Sequence, residues 1–72
     1  MSASTIHING RPSNLPSSGK LTDVLREEGI DPDQSRGVAV AVNERIVRRS
    51  DWPERNLESG DAVEIVTARQ GG

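Results

Sequence analysis

The chain has no cysteine, which excludes a disulfide framework, a thiolate metal site and a cysteine nucleophile together. Phe and Tyr are also absent, leaving Trp52 as the single aromatic, and with them goes the stacking platform on which single-stranded nucleic acids are bound. Nine basic residues stand against eleven acidic ones, so a formal charge of −2 gives no electrostatic reason to seek phosphate backbones. Long apolar runs are missing as well; the longest is Val38 to Val42, and the N-terminus has neither the basic nor the apolar segment of a secretory leader. These absences point away from nucleic acid and membrane and toward a soluble cytoplasmic protein. His7 is the only histidine and lies between two core-type residues of an alternating segment, the ordinary setting of a solvent-facing strand residue. No Walker pattern, Gly-rich phosphate loop or Ser-His-Asp set is present, and the scattered acids form no metal-ligating group.

What is present must be economical. Seventy-two residues make one domain, and its interior rests on sixteen Ile, Leu and Val together with Trp52. There is no spare core to hollow into a pocket.

The periodicity predicts five strands and one main helix. Ile6 and Ile8 alternate with His7, and Asn9-Gly10 follows as a type I′ hairpin signal, because both central residues of that turn take positive φ. The return strand is Arg11 to Leu15, which Pro12 confines to a sheet edge or a strand start. Thr22 is the expected N-cap of a short helix whose stripe is Leu21, Val24 and Leu25; Gly29 is its expected C′ residue and Ile30 the C″ contact of a Schellman ending. After a polar loop from Asp31 to Gly37, Val38 to Val42 alternates Val and Ala, as in a strand packed on a helix on one side and crowded on the other. Asn43-Glu44 is a weaker hairpin signal, since Glu disfavours positive φ. Arg45 to Arg48 returns, with Ile46 and Val47 on opposite faces. Ser50 to Glu54 reads as a serine-capped helical or 3₁₀ turn in which Trp52 closes one end of the core. Leu57 is an isolated apolar anchor, Ser59 to Asp61 a turn, and Ala62 to Ala68 the last strand, with Val63 and Ile65 opposite Val66. One helix among five strands implies an α+β roll, a mixed five-stranded sheet over that helix. Residues 1–68 are its single domain and 69–72 a flexible tail ending in Gly-Gly.

That tail is where chemistry is most plausibly placed. Gly-Gly ends a chain by composition alone in about one case in two hundred. A terminal carboxylate has a reference pKa of about 3.3–3.7 and is a fully ionised oxygen nucleophile at neutral pH, suited to attack on the α-phosphate of ATP. Gly71 and Gly72 lack Cβ, so they can thread through a narrow channel in another protein. Arg45, Arg48 and Arg49 form a small basic cluster, either a patch for an acidic partner or a solvated strand end.

Taken in order, Ile8-Asn9-Gly10, Leu21 to Leu25, Gly37 to Asn43, Val47 to Trp52, Leu57 with Gly60-Asp61, and Val63 to Ala68 leading to Gly71-Gly72 resemble the ThiS family of thiamine-biosynthesis sulfur carriers, ubiquitin-like proteins of β-grasp fold. The resemblance runs over nearly the whole chain from Ile6. It implies a carrier and not an enzyme: Gly72 is adenylated by an E1-like adenylyltransferase (ThiF-type) using ATP and Mg²⁺, converted by a sulfur donor, a cysteine desulfurase or similar, to a thiocarboxylate, and then yields its sulfur to thiazole synthase (ThiG-type). Gly71 and Gln70 are the expected tail-recognition positions. The sheet face away from the helix is the expected docking surface; strand parity assigns to it Val66 and one of Ile46 and Val47, with Arg45 beside them. The chain departs from the family pattern at Gln70, at Glu44 and in the extension Ser2 to Ser4. The small subunit of molybdopterin synthase and a ubiquitin-like protein modifier share fold and tail and are the alternative readings.

Overall fold

The computed structural model describes residues 4–68. The tail expected at 69–72 lies outside the described residues. In chain order the elements are β1 (Thr5–Ile8), β2 (Arg11–Asn14), α1 (Leu21–Glu27), β3 (Val38–Val42), β4 (Arg45–Val47), a 3₁₀ segment (Arg49–Glu54) and β5 (Ala62–Thr67). The strands form one mixed sheet in the order β2-β1-β5-β3-β4. Neighbours pair antiparallel except β1 and β5, which run parallel at its centre.

Two turn dipeptides set the register of the two hairpins. Asn9 and Gly10 adopt φ of 51° and 84°, between the paired Ile8 and Arg11. Asn43 and Glu44 do the same at 52° and 70°, between Val42 and Arg45. Glu44 therefore accepts the left-handed region despite its Cβ, at a cost of about 1–2 kcal/mol. Asn43 offsets this by binding the neighbouring segment: its carboxamide oxygen accepts from the Ala62 N–H at 2.9 Å and its Nδ2 donates to the Asp61 carboxylate at 3.0 Å. Asn9 is used in the same way. Its carboxamide accepts from the Ile65 N–H at 2.8 Å and donates to the Ile65 carbonyl at 3.1 Å, extending the β1–β5 ladder past the end of β1. Pro12, as expected, lies in an edge strand, β2.

The core is one cluster: Ile6 and Ile8 from β1, Leu21, Val24 and Leu25 from α1, Val40 and Val42 from β3, Val63 and Ile65 from β5, and Trp52 and Leu57. Trp52 is buried as expected, and its indole N–H is satisfied by the Val47 carbonyl at 3.0 Å. The helix ends in the expected Schellman geometry, with Gly29 N–H donating to Arg26 and Ile30 N–H to Leu25, at 3.0 and 2.9 Å.

Two capping expectations fail. Thr22 is not the N-cap of α1; Lys20 is, without a side-chain bond, and Thr22 is buried inside the first turn. The Leu21 N–H is taken instead by the Arg55 carbonyl at 3.1 Å, from a segment that also pairs Lys20 with Asn56. Ser50 likewise caps nothing: the 3₁₀ segment starts after Arg48, and Ser50 lies within it. A tertiary carbonyl meets the first free N–H of α1, so no local serine or threonine is required there.

Candidate functional site

The residues expected to carry the chemistry, Gly72 with Gly71 and Gln70, lie outside the described residues. What the structure describes is the platform that precedes them in the chain.

The open face of this platform is the side of the sheet opposite α1. Strand pairing places Ala41 between Ile46 and Glu64, and Ala39 beside Val66. Ile46 is 81% exposed and Val66 63% exposed, the two large apolar side chains left most open among the described residues. Ala39 and Ala41 form a low floor between them, and the result is a shallow depression of about 170 Å³ edged by Ile46, Glu64 and Val66. The Val-Ala alternation of β3 was expected to reflect a helix packed on one side and crowding on the other. Only the valine side is packed; Ala39 is exposed and Ala41 half-buried, so the small residues make a groove.

The expected docking residues separate cleanly. Ile46 and Val66 come together across the alanines. Val47 turns the other way and packs half-buried against the core, and Arg45, two residues before it, shares that side of β4, opposite Val42. Neither Val47 nor Arg45 joins the apolar depression. Of the basic cluster, Arg49 is engaged in the fold: its guanidinium lies 5.0 Å from the centre of the Trp52 ring and donates to the Pro32 carbonyl at 3.2 Å. His7 is exposed on its strand, as expected.

Among the described residues no group of three or more His, Asp or Glu side chains is gathered to hold a metal ion, and no helix is long and apolar enough to cross a membrane. The one ion pair among them, Arg26 with Asp23 at 3.1 Å, is exposed on α1. The Asp23 carboxyl is held below its ordinary pKa chiefly by the hydrogen bond from the Ser18 hydroxyl; desolvation opposes this, and Arg26 and Lys20 lower it further. The described residues thus present a shallow apolar depression on the open side of the sheet.

Residues 6–72 match the model of the ThiS family, a span that takes in every strand core and the Gly-Gly end. The chain belongs to the ThiS family. It is similar to the sulfur carrier protein ThiS of Thermus thermophilus, with 41% identity over 68 residues covering 93% of this chain and 98% of that one. Its fold is similar to the crystal structure of the thiamine biosynthesis protein ThiS from Geobacter metallireducens, with a TM-score of 0.72 and 26% identity over 94% of this chain and 99% of that one. The mixed five-stranded sheet over one main helix is therefore the β-grasp of this family, as the sequence led us to expect.

Two features of this ThiS-family chain were not singled out from sequence. The carboxamides of Asn9 and Asn43 act as extra rungs of the sheet, and Asn-Gly and Asn-Glu signal only the turns that carry them. Gly37, read as a loop end, has φ +68° and receives the Ala68 N–H on its carbonyl at 2.7 Å.

Proposed function

We propose that the protein is a sulfur carrier of thiamine biosynthesis, a cosubstrate and not a catalyst, whose reactive group is the carboxylate of Gly72. The observation that carries this reading is the family match over residues 6–72, which includes the Gly-Gly end. A carboxylate oxygen is a poor leaving group and AMP is a good one. An E1-like adenylyltransferase of ThiF type therefore uses ATP and Mg²⁺ to join a Gly72 oxygen to the α-phosphate, with release of pyrophosphate. The outer sulfur of a persulfide on a cysteine desulfurase or similar donor then attacks the acyl carbon and AMP departs, giving an acyl disulfide; a thiol of the donor attacks the donor-side sulfur, forms a disulfide with it as the two-electron reductant, and releases the thiocarboxylate. That group gives its sulfur to a thiazole synthase of ThiG type in the cytoplasm.

Gly71 and Gln70 present the terminus to a partner's channel, and the depression between Ile46 and Val66 receives an apolar side chain of the partner. Its area is small, as suits a carrier that has to leave one partner for another. The chain supplies no cysteine, so the sulfur comes from outside the carrier.

Intact mass after incubation with the activating enzyme, ATP and a sulfur donor tests the reading. The full chain is expected to gain the mass of one oxygen replaced by sulfur, and the chain lacking Gly72 to gain nothing. An unchanged mass in the full chain sinks the proposal. Rescue of a thiamine auxotroph, without rescue of a molybdenum-cofactor mutant, separates this role from that of a molybdopterin synthase subunit; high-mass conjugates on a denaturing gel would instead indicate a protein modifier.

A further inference from the structure

We propose that Gly37 is a positioning residue for the reaction at the C-terminus, fixing the point from which the tail leaves the sheet. The inference rests on the carrier reading above.

The β3–β5 ladder ends with Val38 opposite Thr67. One further bond follows, from the Ala68 N–H to the Gly37 carbonyl at 2.7 Å, and it is the last backbone tie described before the tail. Gly37 makes this approach in the left-handed region, at φ +68°. A Cβ there would lie 3.0 Å from the Ala68 carbonyl oxygen and 3.4 Å from the Ala68 Cβ, so a side chain at 37 pushes Ala68 away as well as straining its own backbone. Gly10, Gly29 and Gly60 also have positive φ, yet a Cβ on any of them meets nothing within 4 Å, and one on Gly19 meets only the Leu57 carbonyl oxygen at an ordinary 3.6 Å. The close approach is particular to the root of the tail.

The contact lies outside the buried core. Gly37 and Ala68 are both exposed, and β5 is already held by five register pairs to β3 and two to β1. Gly37 is itself well anchored. The loop before it is closed by the Ser35 N–H on the Asp31 carbonyl at 2.9 Å and the Asp33 N–H on the Asp31 carboxylate at 2.9 Å. Buried Pro32 accepts from Arg49, which lies over buried Trp52. Ala68 is thus connected through Gly37, the 31–37 loop and Arg49 to the core. Four residues separate it from the terminus, a span of at most about 14 Å, so the place of Ala68 limits where the carboxylate reaches while the sheet face is docked.

The test uses the full chain with an E1-like activating enzyme and ATP, following adenylation rate against carrier concentration. Two variants break the tie from opposite sides: Gly37→Ala adds the Cβ, and Ala68→Pro removes the donated N–H and leaves residue 37 untouched. Both are expected to lower kcat roughly ten- to hundredfold, the scale on which misplacement of a reacting group acts. KM is expected to change less than threefold, because Ile46 and Val66 are unaltered. In Gly37→Ala the Ala68 amide is expected to exchange its hydrogen at the rate of a free chain, with the fold retained and the melting temperature lowered by roughly 5–15 °C, the effect of a Cβ at positive φ. Unsubstituted kcat in both variants, a loss lying entirely in KM, or a collapse of the fold in both overturns the positioning role. Absence of activation in the unsubstituted chain overturns the carrier reading itself, and the positioning role with it.

Discussion

The two faces of β3 and β5 are built from alternate residues of the same two strands and have opposite fates. Val40, Val42, Val63 and Ile65 are buried against α1 and Trp52, whereas Ala39, Ala41, Glu64 and Val66 look outward with Ile46 of β4 beside them. The inner face is uniformly branched and apolar, as a close-packed interior requires. The outer face mixes tall and short apolar groups around one carboxylate. That combination leaves a depression, on which the proposed docking role rests. The apolar residues of these strands thus divide into those that hold the sheet and those left open to solvent.

The comparison breaks most visibly if the inner face is cut. Ile65→Ala is expected to cost about 2–5 kcal/mol through lost burial and the cavity left behind, while Val66→Ala, one residue along, is expected to stay within about 0.5 kcal/mol. Urea denaturation of both variants checks this; equal losses would mean that the outer face is part of the folding core. The converse experiment loads the outer face with charge. Ile46→Glu or Val66→Glu is expected to leave urea stability within about 1 kcal/mol yet weaken binding to the activating enzyme at least tenfold, the cost of truncating or burying the wrong group at an interface centre. Calorimetric titration reads the affinity. Unchanged affinity in both variants would return the face to ordinary surface. By contrast, Val47→Ala is expected to act as an inner-face change, lowering stability by about 1 kcal/mol with little effect on affinity.

Smaller effects lie outside both faces. Glu44→Gly relieves the left-handed strain in the β3–β4 turn and is expected to stabilise by up to about 1 kcal/mol, seen as a raised urea midpoint with affinity for the partner unchanged. Ser18→Ala removes the bond that does most to hold the Asp23 carboxyl down, so an NMR titration is expected to show the Asp23 pKa rising toward its ordinary value. Because the folded-state pKa is depressed, this carboxylate favours folding above its unfolded pKa, and the benefit is lost as pH falls through the folded one. The variant is therefore expected to show a weaker acid dependence of stability.

These outcomes bear on how much the chain discloses before it is folded. Asn9-Gly10, Gly29 with Ile30, and the alternation of Val38 to Val42 are legible because each is a local backbone rule, and those elements form where they are expected. Thr22 misleads because the Leu21 N–H finds its partner on Arg55, more than thirty positions away, which no local window contains; Ser50 misleads because the 3₁₀ segment already starts at Arg49. The choice between Ile46 and Val47 depended on the register that the Asn43-Glu44 turn sets, and Glu44 made that turn look weak. The groove was hidden for another reason: Ala39 and Ala41 read as crowded, and only the folded sheet leaves their side uncovered. For the site, the sequence carried the Gly-Gly terminus directly. The role of Gly37 was not legible, because it depends on a contact with Ala68 at the far end of the chain.

The central claim is a division of labour in which the outer face docks and the terminus reacts. It is tested most directly by adding the chain that lacks Gly72 to the adenylation of the full chain. The account predicts competitive inhibition with a constant close to the KM of the full chain, and loss of that inhibition when Val66→Glu is placed in the truncated protein. A truncated chain that fails to compete, or competes equally well with Val66→Glu, would contradict it.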